Sequence, residues 1–258
     1  MISGILPLRN GVKLGYPFDL AIRSLLPLCD EVVVSVDPTS EDDTLARVRA
    51  IPGVKVVESV WDMSNHDGHR NCEISVQTRR LLKEVRGPWV FSLQADEILH
   101  EGEVDVIREA VLAAEARGVT GLEMRRLYFY GSLSRLREDW TLWMVRLFKR
   151  DLWMPDVDGA MRFDPVGGQL AQRVHAARIW HYSRLGDPRQ IAERVRNLDR
   201  LFHAPEKVQA GPLPPYDFGR TRKLDTYVIG HEAEEAEAVL SSFDPLLHPW
   251  TAREAFRE

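Results

Sequence analysis

The chain is poor in cysteine, with two in 258 residues, Cys29 and Cys72. That number and spacing form neither a disulfide framework nor a cysteine metal site, which fits a reducing compartment. No run approaches the ~20 apolar residues of a membrane-spanning helix. The N-terminal stretch is apolar but lacks the basic flank and long apolar core of a signal peptide, so none is expected. No Gly-x-Gly-x-x-Gly follows the first strand-like run, which disfavours a dinucleotide oxidoreductase, and no Gly-x-x-x-x-Gly-Lys-Ser/Thr occurs to suggest a P-loop hydrolase. Positive charge is also short: the net charge is −5, so the overall field does not recruit nucleic acid. Internal repeats and low-complexity tracts are missing too.

What is present is alternation. Residues 2–8, 31–36, 54–60 and 89–93 are short apolar runs rich in β-branched residues, the pattern of buried strands. Helical faces lie between them: Ala21, Ile22, Leu25 and Leu26; then Leu45, Val48 and Ile51, stopped by Pro52-Gly53; then Ile74, Leu81, Leu82 and Val85, stopped by Gly87-Pro88. Ser40-Glu-Asp-Asp43 reads as the start of the second helix, with acids in its first turn to suit the helix dipole. This arrangement predicts βαβ units and a mainly parallel sheet covered on both faces. A further helix carries Val104, Ile107, Val111 and Ala114 and closes at Gly118. Longer aromatic runs at 119–130, 143–148 and 174–182 predict a mixed, partly antiparallel half. Asp187-Pro188 opens a helix with Ile191, Val195, Leu198 and Phe202 on its buried side. Residues 204–223 read as an irregular arm, and an acidic tail from about 231 reads as helical until Ser241. The expected division is a domain over 1–185 and a helical extension over 186–258 packed on it.

Ligands of open α/β sheets bind at the carboxyl ends of the strands. That rule nominates Leu8-Arg9-Asn10, Asp37, the polar loop 61–70 and the segment Gln94-Ala95-Asp96-Glu97. Carboxylates at such an end suit a hard divalent cation, Mn²⁺ or Mg²⁺, which takes oxygen ligands and bridges to phosphates. Asp96 can equally cap the next helix.

Three segments together resemble family 2 glycosyltransferases of the GT-A fold. ISGILPLRNGVKLGYPFDLAIRSLLPLCDEVVVSVD is similar to that family's first strand, helix and second strand, with Asp37 at its nucleotide-contacting place. SEDDT resembles its acid-x-Thr helix start at Asp42-Asp43-Thr44, and WVFSLQADEIL resembles the strand bearing its Asp-x-Asp metal motif. The likeness covers residues 1 to about 180, most closely the first hundred. Gln94 replaces the first Asp of the motif; it can still hydrogen-bond a ribose hydroxyl.

The resemblance implies a GT-A-like, Rossmann-type mixed sheet flanked by helices, and an inverting transfer from a nucleoside diphosphate sugar to a hydroxyl. The acceptor is a glycan, a lipid-linked molecule or a protein. By the resemblance, Leu8, Arg9, Asn10, Asp37, Gln77 and Gln94 touch the nucleotide, Asp96 and the late His181 hold the metal, and Asp158 is the base. Asp156, Asp164, Glu138 and Asp139 rival Asp158, and each can be an ordinary turn acid. Asp62, His66, Asp67 and His69 share a loop without ligand spacing, and Arg70 joins Gln77 as a nucleotide-sugar candidate. Arg184, Arg189, Arg194, Arg196 and Arg200 read as a solvated basic face, with an anion-facing cleft wall as the sharper reading. Among Trp140, Trp143, Trp153 and Trp180, core positions outnumber sugar platforms. A cytoplasmic enzyme, peripheral at the inner membrane face or dimeric, fits these features. A non-catalytic nucleotide-sugar binder and a nucleotidyltransferase are the alternatives.

Overall fold

The four runs become adjacent parallel strands: residues 2–8, 31–36 and 89–92 are buried along nearly their whole length, while 54–58, with Lys55 and Glu58 exposed, forms the edge. The computed structural model describes residues 1–64, 72–131, 133, 135–140, 142–156, 162–208 and 221–223. In chain order the elements are β1 (Ile2–Leu8), α1 (Phe18–Leu25), β2 (Glu31–Val36), α2 (Thr44–Arg49), β3 (Val54–Glu58), α3 (Glu73–Glu84), β4 (Trp89–Ser92) and β5 (Glu97–Leu99). There follow α4 (Val104–Arg117), β6 (Gly121–Tyr130), β7 (Arg135–Arg137), β8 (Leu142–Lys149), β9 (Trp153–Pro155), β10 (Phe163–Pro165), β11 (Ala171–Arg184), α5 (Pro188–Phe202) and β12 (Thr221–Lys223).

The main sheet has the order β12-β7-β6-β8-β4-β1-β2-β3, with β11 joined to both β5 and β6. Strands β4, β1, β2 and β3 are mutually parallel, while β8 enters antiparallel to both β4 and β6. Strand order therefore reverses at β1 and β4, and their carboxyl ends form the crevice in which such sheets bind ligands. The β2 valines Val32, Val33, Val34 and Val36 are all buried. The mixed half arises as the aromatic runs predicted. Gly118 takes a left-handed φ of 70° and caps α4, and Asp187 caps α5 by accepting from the Arg189 N–H.

Three expectations change. The buried residues of α5 are Ile191, Ala192, Arg194 and Leu201, and Leu198, expected among them, is 47% exposed. Acids do not occupy the first turn of α2; Asp42, just before it, accepts instead from the Thr44 and Lys13 N–H groups. The 204–223 arm includes an edge strand, β12, antiparallel to β7. The predicted helix at 231–241 lies outside the described residues.

Candidate functional site

A cleft of 910 Å³ opens at the carboxyl ends of β1 and β4. Pro7-Leu8-Arg9 and Gln94-Ala95-Asp96 form its floor, and one face of α5 forms a wall. The local sequence sets the position of Asp96 in two ways. First, the Glu97 N–H closes a turn onto the Gln94 carbonyl, and the Glu97 carboxylate returns to accept from the Gln94 N–H at 3.0 Å. Second, the Tyr182 N–H donates to the Asp96 carbonyl at 2.8 Å, stitching the turn to β11. The chain after β4 thus starts a short strand where a helix start was an alternative.

That stitch brings His181 to Asp96. His181 lies in β11 between Glu97 of β5 and Tyr128 of β6. Its Nε2 is 3.6 Å from Asp96 Oδ1, and both side chains face the cleft. Burial lifts the Asp96 carboxyl to about 6, helped by the Glu97 charge and opposed by Arg194 and Arg126. Burial, and then four arginines led by Arg126, drive His181 well below its usual range, so it is neutral at pH 7. The contact is consequently not an ion pair, and the imidazole keeps a lone pair for a ligand. On its other side Nδ1 is 3.3 Å from Ser183 Oγ, which meets the Tyr128 hydroxyl at 2.5 Å. The Tyr128 and His181 rings lie 4.3 Å apart.

A divalent cation fits this pair as far as the donors go: one carboxylate and one neutral imidazole, close together at the cleft floor. Among the described residues no group of three His, Cys, Asp or Glu could hold a metal. With only these two protein donors, a bound cation would take its remaining ligands from phosphate oxygens and water. The nitrogen donor suits Mn²⁺ better than Mg²⁺.

Glu97, the second acid of the pair, turns inward. It is fully buried, accepts from Arg146 Nη2 at 2.6 Å and lies 3.7 Å from Arg126 Nη1. Arg146 is itself 1% exposed. Removing one partner of a buried pair leaves an uncompensated charge, at a cost of about 3–5 kcal/mol. We therefore expect Glu97→Gln to lower unfolding free energy in urea by about that much. A loss under about 1 kcal/mol, the scale of an exposed pair, would show that this carboxylate is not structural.

The other nucleotide candidates divide. Leu8, Arg9 and Gln94 line the cleft. Asp37 does not: fully buried, it pairs with Arg9 Nε at 2.9 Å and accepts from the Thr39 N–H and hydroxyl. Asn10 is also directed away from the cleft lining. Its φ of 50° is tolerated by Asn, and its Oδ1 accepts from the Glu41 N–H at 2.8 Å, which shapes the loop after β1. Gln77 is buried on α3, where its amide donates to Val60 O and Glu73 Oε1. It sits beneath the cleft as a brace and does not line it.

Asp158 lies outside the described residues, as do His66, Asp67, His69 and Arg70. Asp156 lines the cleft, 7% exposed, with Arg162 Nε 3.0 Å from Oδ2. Asp139 also lines it and pairs with Arg137, whereas Asp164 is exposed on β10. The side chain of Glu138 is not among those described. Of the tryptophans, Trp140 and Trp143 line the cleft, while Trp153 and Trp180 belong to the core.

The solvated-face reading holds for Arg196 and Arg200, which both pair with Glu193. It fails for Arg194. That side chain is 4% exposed and donates to the carbonyls of Leu14, Gly15, Ser183 and Leu185, latching α5 to the loop after β1 beside Asp96. Arg184 lines the cleft as well. Sequence reasoning also missed Tyr16, Arg126, Tyr128 and Arg146. For the arginines a signal existed: a lone charge inside an apolar strand, as in LWMVRLFK, demands a buried acid.

No family model matches the chain, and no curated protein matches it. Solved structures do resemble it. S. aureus TarS residues 1–349 with UDP-GlcNAc is 22% identical over 51% of this chain and 36% of that one, with a TM-score of 0.36. The same fragment without that ligand is 16% identical over 94% and 70%, with a TM-score of 0.45. Glucosyl-3-phosphoglycerate synthase of Mycobacterium tuberculosis, with Mn²⁺ and UDP, is 24% identical over 50% and 44%, with a TM-score of 0.36. The chain thus spans less than half the length of two of these three chains. At 16–24% identity and TM-scores under 0.5, these likenesses assign neither family nor role; the mixed sheet flanked by helices is read from the chain's own strands.

Proposed function

We propose that this chain is a family 2-like glycosyltransferase that moves a sugar from a nucleoside diphosphate to a hydroxyl, with inversion. The supporting observation is the convergence of Asp96 and His181, 85 positions apart in sequence, to 3.6 Å at the floor of a cleft at the switch point. Residues 1–185 form the catalytic domain, and α5 begins the extension packed on it. Arg9 and Leu8 border the base and ribose, with the Gln94 amide toward a ribose hydroxyl. Asp37 contributes by holding Arg9. Asp96 and His181 hold Mn²⁺ or Mg²⁺ against the diphosphate. When bound, that cation neutralises charge on the leaving diphosphate. Arg194 and Arg126 add fixed positive charge beside Asp96. Asp158 takes the proton of the attacking hydroxyl, with Asp156 as its rival. Both cysteines are unbridged, in keeping with a cytoplasmic site, and no helix among the described residues is long and apolar enough to cross a membrane. Gln94, which replaces an acid of the motif, favours the second reading, a nucleotide-sugar binder without turnover.

Thermal melting with UDP, GDP, CDP or dTDP tests the donor site. One of them, with MnCl₂, should stabilise the protein by about 2.7 kcal/mol at 100 times its dissociation constant. If none shifts the melt at millimolar concentration, with or without the metal, the donor site is misassigned.

A further inference from the structure

Side chains alternate along β11, so His181 and Ser183 share one face of the strand, while Tyr182 turns to the other and packs against Phe129 with ring centroids 5.2 Å apart. Across the ladder, Tyr128 of β6 is the register partner of His181. Three residues of the cleft lining are thereby brought together: an imidazole, a hydroxyl two positions further on, and a phenol from the neighbouring strand.

Ser183 joins the other two. Its Oγ lies 3.3 Å from His181 Nδ1 and 2.5 Å from the Tyr128 hydroxyl. The Tyr128 ring covers the imidazole at 4.3 Å between centroids, and both rings are buried, so the imidazole is held in its orientation. A neutral imidazole carries one N–H. On the Nε2 side, Asp96 Oδ1 is 3.6 Å away, beyond the roughly 3.2 Å reach of an N–H···O bond. On the Nδ1 side, Ser183 Oγ is a hydrogen-bond partner. A buried N–H belongs on the side that satisfies it, which places the proton on Nδ1. The serine hydroxyl accepts there and still has its own proton to donate to the Tyr128 oxygen.

We infer that Ser183 is a positioning residue for the divalent cation: its oxygen accepts the Nδ1 proton of His181 and so keeps Nε2 bare toward Asp96, with Tyr128 holding the serine hydroxyl in place. The inference rests on the assignment of Asp96 and His181 to that cation. A hydrogen bond at the far nitrogen orients a metal-ligating histidine and fixes its tautomer.

Two measurements test it. In the cation-free protein, ¹⁵N NMR of the histidine rings should find His181 protonated at Nδ1, and Ser183→Ala should move the proton to Nε2, toward the Asp96 carboxylate. Titration calorimetry with MnCl₂, in millimolar UDP, GDP, CDP or dTDP, should show cation affinity lowered by about 10–100-fold in Ser183→Ala. Ser183→Thr, which keeps the hydroxyl, should restore both readouts. Tyr128→Phe, which removes the anchor of that hydroxyl, should fall between the parent and Ser183→Ala. Melting curves check that each variant is folded. A parent ring protonated at Nε2, or parental Mn²⁺ affinity in folded Ser183→Ala, overturns the inference and leaves the Asp96–His181 site standing. Mn²⁺ that fails to bind the parent with any of the four nucleotides overturns the cation site itself.

Discussion

Asp96→Ala is expected to lower metal-stimulated turnover by about 10²-fold or more while leaving the protein folded. The carboxylate sits at a strand end, faces the cleft and makes no core contact of the kind that Glu97 makes with Arg146. Its backbone carbonyl, not its side chain, stitches β5 to β11 through Tyr182. Removing the side chain also removes a carboxylate whose burial is unfavourable, so stability should fall little or rise. The paired measurement is turnover against MnCl₂ concentration and unfolding in urea, for Asp96→Ala and His181→Ala alike. Both variants should lose the metal response. Parental turnover in Asp96→Ala, or in EDTA, would remove the metal from the proposal. A folded Asp96→Ala beside an unfolded Glu97→Gln would separate the two adjacent acids into a ligand and a structural anchor.

That separation shows where sequence legibility ended. The parallel half was readable because β1, β2 and β4 are apolar on both faces, β3 is a short β-branched run, and the helices between them are amphipathic. Asp96 was readable as the residue just past the most apolar strand. Which of two neighbouring acids points outward was not readable, because the answer lies in Arg126 and Arg146, remote strands that pack under the turn. The same holds for Arg194. Its spacing on α5 permits a solvated face, yet four carbonyls receive it, two in the distant loop after β1 and two at the end of β11. Gln77 and Asn10 have ordinary side chains for nucleotide contact, but their hydrogen bonds hold α3 and the loop after β1 in place. Local pattern fixes the type of element; only tertiary contact decides the direction of a polar side chain within it.

The base is the assignment with the largest expected effect. Inversion requires a carboxylate on the face of the sugar opposite the leaving diphosphate. In the proposed assignment Asp96 and His181 mark the diphosphate side, so the base comes from a later segment across the cleft. Residues 156–158 belong to the segment joining β9 and β10, and Asp156 lines the cleft. Asp156 is bonded to Arg162, and its carbonyl accepts from Ser75 Oγ at 2.7 Å, ties that suit an anchor. Asp158, two residues on, remains the preferred base. Asp158→Asn keeps size and hydrogen bonding but loses basicity, and should lower turnover by about 10²–10⁴-fold. Nucleotide affinity should be nearly unchanged, because the base touches the acceptor. Asp156→Asn should instead lower the melting temperature and reduce turnover less. The two variants, with Asp164→Asn as an exposed control, are compared for turnover, nucleotide affinity and melting. If Asp156→Asn is folded and inactive while Asp158→Asn turns over like the parent, the roles are reversed. If both are active, the base moves to Asp139, which lines the cleft beside Trp140, or to its neighbour Glu138.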